Sequence, residues 1–266
     1  MGPLGRRTGP VLPRTLRDGG TVSLLDDIGT ALVVHAHPDD ETIASGGLLA
    51  ELRARGVRVV LVTATRGERG EIVPGTLDPA LDETELAAAR EAELHGALSA
   101  IGVDEHAWLG TAPARAAGLR DRRYRDSGME WVRPGLAGPA ADAGPDAFAE
   151  TSVDEQVADL LALAENVCPD AVIGYGPDGG YGHPDHVRAH VIAAAVARSV
   201  GVPFLELAHD RDPGVEWFDL EHRRTAMTDA LRHHRSQVTV DGSELVHSGG
   251  QRQAIEPSVG LRPSGR

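Results

Sequence analysis

The chain has 266 residues, 41% of them hydrophobic, which suits one globular domain with a sizeable core. Its formal net charge is -14, so a nucleic acid or an anionic membrane would be repelled over most of the surface. No segment approaches the roughly 20 consecutive apolar residues of a membrane span. We therefore expect the protein to bind a small molecule and to bind neither nucleic acids nor membranes.

Both ends of the chain have the composition of loops. Residues 1–22 are rich in Arg, Gly and Pro and contain no apolar run long enough for a signal peptide. We predict a flexible arm over 1–22, a single domain over 23–248 and a flexible tail over 249–266. The single cysteine, Cys168, excludes an intramolecular disulfide, so we expect a cytoplasmic protein in which Cys168 is a small buried residue.

Short apolar runs alternate with helical patterns along most of the chain. The predicted strands are residues 31–35, 57–64, 171–175 and 203–208, and the predicted helices are residues 41–55, 82–102, 154–167 and 186–200. Asp82 and Glu85 have the spacing of a capping box at the second helix, and Gly102 is its expected end. This alternation predicts an α/β fold, a Rossmann-like and mainly parallel sheet flanked by helices, with ligands beyond the carboxyl ends of the strands.

One long segment does not follow this alternation. Residues 111–151 contain Gly, Pro and Arg but no sustained period, and they are far longer than a usual connection. Long ordered loops are commonly lids or binding loops, so we predict a loop near the site. A disordered insertion is the alternative.

The turn after the first predicted strand carries an imidazole and three carboxylates within the five residues HPDDE, 37–41. His37 and Asp40, three residues apart across a tight turn, could each provide one ligand to a divalent metal ion. Asp39 is then free for another role. The alternative is helix capping, because Asp residues at the start of a helix accept backbone N–H bonds.

A second turn with the same chemistry follows the strand at 171–175, with the sequence GGYGHPDH at residues 179–186. The carboxyl ends of parallel strands share one edge of a sheet, so His186 can complete a His/Asp/His site with His37 and Asp40. Three protein ligands leave a position for water, which is typical of a catalytic zinc site. A ferrous ion suits the same donors. Two such turns make capping alone a poor explanation.

These motifs resemble the LmbE-like or PIG-L family of zinc-dependent de-N-acetylases. The resemblance covers about 31–238, with AHPDDE at 36–41 and GHPDH at 182–186 as the signature motifs. Within the family the chain is most similar to the mycothiol-pathway deacetylases that act on N-acetylglucosaminyl-inositol. That closer similarity lies in residues 67–71, 124–129 and 178–186, with a family-like Ser236-Gln237 after a C-terminal helix.

The resemblance implies a role for each matching position. His37, Asp40 and His186 would hold zinc, Asp39 would be the general base, and His183 would be the general acid and oxyanion stabiliser. Asp185 would orient His183, Tyr181 would polarise the scissile carbonyl, and Arg90, Asp126 and Glu71 would bind the sugar or inositol. For Arg90 the alternative is an exposed, salt-bridging residue. The histidines outside the two turns, His234 among them, are expected to be structural or exposed.

The chemistry of amide hydrolysis agrees with these roles. Zinc can lower the pKa of bound water to about 7 and polarise the amide oxygen. Two proton transfers remain, one to a base, which suits Asp39, and one from an acid, which suits a histidine titrating near neutrality. Pairing with Asp185 would raise the proton affinity of His183.

We therefore expect an enzyme that removes an N-acetyl group from a glucosamine-containing small molecule, a small amino-sugar glycoside. A mycothiol S-conjugate amidase and a deacetylase tailoring a secondary metabolite remain open alternatives. A carbohydrate-binding protein without catalysis is disfavoured because Asp39 and His183 are both present, and a phosphoesterase because no phosphate cradle is recognisable. Only 80 residues follow His186, fewer than the resemblance implies. We therefore expect part of the substrate pocket to differ, which affects the expected inositol specificity more than the deacetylase chemistry.

Overall fold

The computed structural model describes residues 22–265, so the predicted arm over 1–22 lies almost entirely outside the described residues. Between residues 22 and 265, no helix has the length and apolar character needed to span a membrane.

The elements within this range follow one another in the order that we number here. The strands are β1 (Thr30–His35), β2 (Arg58–Thr63), β3 (Glu105–Trp108), β4 (Met129–Arg133), β5 (Leu136–Pro139), β6 (Ala171–Gly174), β7 (Phe204–Ala208), β8 (Glu216–Phe218), β9 (Val238–Asp241), β10 (Glu244–His247), β11 (Arg252–Ala254) and β12 (Val259–Pro263). The helices are α1 (Asp40–Ala54), α2 (Glu83–Ile101), α3 (Val153–Val167), α4 (Pro184–Val200) and α5 (Arg224–Leu231), the last preceded by a 3₁₀ turn at Glu221–Arg223.

Seven strands form the central sheet, in the order β3-β2-β1-β6-β7-β12-β8. The five strands from β3 to β7 in this order are parallel, and β12 is antiparallel to both of its neighbours. A small antiparallel sheet of β9, β10 and β11 and the hairpin β4–β5 lie outside it. The predicted mainly parallel α/β sheet is confirmed.

Both faces of the central sheet are buried, and β1 shows why its sequence is apolar throughout. Val33 belongs to the core beneath α1, α2 and α5, whereas Leu32 and Val34 belong to the core beneath α3 and α4. Alternate side chains of a strand point to opposite faces, so a strand covered on both faces needs apolar residues at every position.

The strand order places a crevice between β1 and β6. From β1 the chain adds β2 and then β3 on one side, and it later returns to add β6 and β7 on the other side. In open α/β sheets, ligands bind outside the carboxyl ends of the strands where the order reverses in this way. The two His-Pro-Asp turns follow β1 and β6, so both lie at this point.

The ends of the helices test the local predictions. Asp82 accepts hydrogen bonds from the N–H groups of Thr84 and Glu85, and Glu85 accepts one from Asp82 N–H, so the capping box of α2 is confirmed. Gly102 ends α2 with φ of 84°.

The expectation that Cys168 is buried is wrong. Cys168 ends α3 in a left-handed conformation with φ of 50°, and its side chain is exposed.

The prediction of a flexible tail over 249–266 is also wrong. Residues 259–263 form β12 inside the central sheet, and Val259 and Leu261 are buried in its core. Without β12, the backbone groups of β7 would form an open edge. The segment before β12 also packs closely against α1, since a Cβ atom at Gly47 of α1 would lie 2.1 Å from the carbonyl oxygen of Pro257.

Residues 111–151 are an ordered segment and not a disordered insertion. The side chains of Tyr124 and Phe148 are completely buried in the core beneath α3 and α4. Tyr124 Oη donates to Asp159 Oδ2 of α3 over 2.8 Å. The hairpin β4–β5 projects from this segment towards the second turn, where Ala137 N–H donates to the carbonyl of Tyr181 over 2.8 Å.

Candidate metal and catalytic site

The first turn joins β1 to α1 through a strained residue. Asp39 has φ of 99°, a conformation that costs a non-glycine residue about 1–3 kcal/mol and is typically found at functional sites. Its side chain makes no capping hydrogen bond to α1. The capping alternative therefore fails for Asp39, and its carboxylate is left for another role.

The three predicted metal ligands lie together. Asp40 Oδ2 is 3.1 Å from His37 Nδ1, and Asp40 Oδ1 is 3.2 Å from His186 Nε2. The other ring nitrogen of His186, Nδ1, lies 3.0 Å from the carbonyl oxygen of Gly179, a contact that sets the orientation of the ring. One carboxylate thus faces both imidazoles across the crevice.

The donors at this position fit a divalent metal ion. Within residues 22–265, the buried His186 Nε2 has no hydrogen-bond partner, although Asp40 Oδ1 lies 3.2 Å away. A buried nitrogen without a partner is unfavourable unless something else binds it. Nitrogen atoms of His37, His183 and His186 lie within 4.8 Å of one another. Imidazole nitrogens with a carboxylate oxygen are ligands that Zn²⁺ and Fe²⁺ accept.

Asp39 has the electrostatic surroundings of a proton acceptor. Burial, followed by the neighbouring charge of Asp40, raises the pKa of Asp39 to about 8. A base is most effective when its pKa lies near the working pH. A cation bound between His37 and Asp40 would favour the ionised form of Asp39.

The second turn joins β6 to α4, and here one prediction is wrong. His183 is the N-cap of α4, and its Nδ1 accepts a hydrogen bond from the backbone N–H of Asp185 over 3.2 Å. The Asp185 carboxylate turns inward and makes its contacts with other residues, so it does not pair with the ring. Burial, followed by the charges of His37 and His186, lowers the pKa of His183 to about 2. The ring is neutral, with Nδ1 as acceptor and the proton on Nε2.

The Asp185 carboxylate joins three parts of the chain. Its Oδ2 lies 3.1 Å from His37 Nε2 and accepts a hydrogen bond from Ser127 N–H over 2.9 Å, and its Oδ1 accepts from the Ser127 hydroxyl. Asp185 is completely buried. This residue therefore orients His37 in the first turn, in place of His183.

Asp126 lies on the same side of His37. Its Oδ1 is 3.6 Å from His37 Nε2 and accepts from Gly128 N–H over 2.8 Å. Burial alone would lower the pKa of His37, but the adjacent Asp126 carboxylate holds this pKa well above its ordinary value. Binding of a metal ion to His37 must therefore displace a proton. The predicted role of Asp126 in substrate binding stays a prediction.

The side chain of Arg90 is buried, whereas that of Glu71 is exposed. Arg90 is buried in α2, and its guanidinium donates to the carbonyl oxygens of Gly67, Gly70 and Glu71, the last over 3.0 Å. The alternative of an exposed, salt-bridging arginine is wrong. The Glu71 side chain is exposed, and only its backbone carbonyl takes part in these contacts. Arg90 thus fixes the conformation of the loop after β2 through these hydrogen bonds.

Two aromatic rings form the rim of the crevice. The ring of Tyr181 lies 5.1 Å from that of His186 and 5.9 Å from that of Trp131, measured between centroids. Trp131 is half exposed on β4. Tyr181 is 37% exposed and therefore lies between His186 and the solvent. Its predicted role at the scissile carbonyl stays a prediction.

Residues 32–197 match the family described as PIG-L: GlcNAc-PI de-N-acetylase. This range covers more than half of the chain and includes both His-Pro-Asp turns. The chain belongs to the PIG-L family.

Two curated relatives are named 1D-myo-inositol 2-acetamido-2-deoxy-alpha-D-glucopyranoside deacetylase. The protein of Saccharomonospora viridis is 38% identical, over 84% of this chain and 91% of its own length. Deacetylase 1 of Saccharopolyspora erythraea is 46% identical, over 64% of this chain and 54% of its own length. The chain thus spans about half the length of the second relative.

A solved structure confirms the fold. The N,N'-diacetylchitobiose deacetylase from Pyrococcus horikoshii superposes with a TM-score of 0.56 at 22% identity, covering 79% of this chain and 71% of its own.

Some residues of this PIG-L site were not found from the sequence. The ring of Tyr175 stacks on that of His186 at 4.3 Å, and its hydroxyl accepts a hydrogen bond from Ala36 N–H over 3.0 Å. Its place at the end of a predicted strand was a signal that could have pointed to it. Ser127 lies within residues 124–129, which carry part of the family resemblance, but only the packing of residues 111–151 brings it to Asp185.

Proposed function

We propose that this chain is a metal-dependent hydrolase that removes the N-acetyl group from a glucosamine-containing small molecule. The observation that carries the proposal is the placement of Asp40 between His37 and His186, beside Asp39, at the switch point of the sheet. Such a cluster supplies metal ligands and a separate base, which are the two requirements of metal-assisted amide hydrolysis. The names of the curated relatives support this reaction and an amino-sugar glycoside as the substrate.

In this proposal His37, Asp40 and His186 hold the metal. The metal, when bound, supplies a Lewis acid and lowers the pKa of water. Asp39 takes the proton from the attacking water, since its carboxylate is free of capping bonds and has a raised pKa.

A ring nitrogen of His183 lies within 4.8 Å of ring nitrogens of His37 and His186, and its Nδ1 already accepts from Asp185 N–H. In the proposal, its Nε2–H group donates a hydrogen bond to the oxyanion that develops on the amide. Protonation of the leaving amine by His183 is the less supported of its two predicted roles, because its pKa is low in this packing. In this proposal Tyr181, whose ring lies 6.0 Å from that of His183, polarises the amide carbonyl with its hydroxyl.

Zinc is the ion that we propose, with ferrous iron as the alternative that the same donors accept. The single cysteine favours a reducing compartment, so we place the reaction in the cytoplasm.

Release of a primary amine tests the proposal directly. Metal-stripped protein, with and without one equivalent of Zn²⁺ or Fe²⁺, is incubated with N-acetylglucosamine, its inositol glycoside, N,N'-diacetylchitobiose and a mycothiol S-conjugate. We expect turnover of at least one glycoside, restored by metal and lowered about 10²- to 10⁴-fold in an Asp39→Asn variant. Stoichiometric metal binding without amine release from any of these compounds would refute the deacetylase and leave only the metal site.

A further inference from the structure

We infer that Glu41 and His234 form a positioning pair that holds Asp39 in its strained backbone conformation. The inference relies on the proposed function only in taking Asp39 as the base. In the part of the chain that the structure describes, the side chains of Glu41 and His234 form no hydrogen bond with the proposed ligands His37, Asp40 and His186. Both are buried in the interior of the protein next to Asp39.

The side chain of Glu41 contacts the backbone of Asp39. Glu41 Oε2 accepts a hydrogen bond from Asp39 N–H over 3.0 Å. A residue with φ of 99° keeps that conformation only where its surroundings determine it. This bond restrains the peptide that precedes the strained torsion, and it therefore restrains the Cα–Cβ direction from which the Asp39 carboxylate extends.

His234 keeps the Glu41 carboxylate in place. Its other oxygen, Oε1, lies 2.8 Å from His234 Nε2 and also accepts from the Thr42 hydroxyl. The side chains of Glu41 and His234 are both completely inaccessible to solvent. Removal of His234 would leave Oε1 with one of these two donors, the Thr42 hydroxyl. A buried carboxylate that loses its ionic partner is strongly unfavourable, so the Glu41 side chain would turn away from this position. Asp39 N–H would then lose its acceptor.

His234 comes from the C-terminal part of the chain. It follows α5, beyond residues 32–197 that match the PIG-L family, and 193 positions after Glu41. Neighbouring Ser236 attaches the same segment to α2, since its N–H and hydroxyl donate to Glu93 over 2.9 and 2.7 Å. The C-terminal part of the chain therefore supports the turn at residues 37–41 through His234.

Three variants separate positioning from folding. His234→Leu removes the donor at similar volume, and His234→Gln keeps an amide N–H donor near the position of Nε2. Ser236→Ala is the matched control, because it removes a buried hydrogen bond of the same segment without touching Glu41. For each variant, kcat, KM, bound metal and the exchange rate of the Asp39 amide proton are measured.

We expect His234→Leu to lower kcat by about 10- to 100-fold, with KM and bound metal within about twofold of the original. His234→Gln should recover most of kcat, and Ser236→Ala should stay near the original in all four measurements. The Asp39 amide should exchange at least about tenfold faster in His234→Leu alone.

A kcat within twofold of the original in His234→Leu would overturn the inference, as would an equal loss in Ser236→Ala. The exchange measurement needs no substrate, so it tests the pair even if the proposed reaction is wrong. Unchanged protection of the Asp39 amide in His234→Leu would refute the pair by itself.

Discussion

Ser127 donates two hydrogen bonds to the carboxylate of Asp185, one from its backbone N–H over 2.9 Å and one from its hydroxyl. Both residues are buried, and Asp185 also contacts His37. The bond joins the long segment 111–151 to the turn that carries His186, so the segment is part of the wall of the site.

Ser127→Ala should lower the free energy of unfolding by about 1.5–3 kcal/mol, because the buried Asp185 carboxylate loses a charge-assisted hydrogen bond. Urea unfolding of the two proteins measures the difference. Ser199→Ala removes a hydroxyl from the exposed surface of α4 and is the control, with an expected change within about 0.5 kcal/mol. A Ser127→Ala variant as stable as the original would mean that this contact contributes little.

His186→Ala should weaken metal binding by at least about 100-fold, because the variant loses one of the three proposed ligands. Metal content after dialysis against a weak chelator measures it. His190→Ala, one turn further along α4, changes a ring that contacts Tyr175 and Phe204 and should retain its metal. Equal metal content in the two variants would exclude His186 as a ligand.

Asp39→Asn should leave metal content unchanged and lower kcat by about 10²- to 10⁴-fold, because the amide cannot accept the proton from water. Asn is the appropriate replacement, since it tolerates positive φ better than most residues. Asp104→Asn changes an exposed carboxylate and should be fully active. If Asp39→Asn retained normal turnover, the base would have to be another residue.

The stability of the protein should fall in mild acid partly because of His106 in β3. Burial lowers the pKa of His106 from 6.5 to about 4. Below pH 6.5 the unfolded chain binds a proton at this residue more readily than the folded one, so its contribution is complete above about pH 6.5 and is lost as the pH falls towards 4. His106→Gln should flatten the stability profile in this window, whereas His95→Gln, at an exposed position, should leave it unchanged. Parallel profiles for His106→Gln and the original protein would contradict the assignment.

The features that could be read from the sequence are those with a local cause. A strand covered on both faces is apolar at every position, so β1, β2, β6 and β7 were predicted close to their observed bounds. The capping box of α2 needs only residues three apart. The two His-Pro-Asp turns were placed on one edge of the sheet because parallel strands share that edge.

Other features depend on contacts between distant residues. β12 is short and contains Gly and Pro, and it is a strand only because β7 and β8 offer it backbone partners. Asp185 was expected to orient His183, but the backbone of an α-helix N-terminus places its N–H there and leaves the carboxylate to Ser127 and His37. Helix geometry and packing decide which donors the Asp185 carboxylate contacts, and residue spacing does not reveal them.

Local chemistry alone thus settled the α/β architecture, the two turns and the types of side chain that meet there, because apolar periodicity, turn residues and ligand types act over a few positions. The partner of each side chain was settled by folding. Glu41 and His234 are 193 positions apart, and their pairing follows from the packing of α5 against α1. Burial then sets the pKa values of Asp39 and His183, because desolvation exists only once the chain has closed around them.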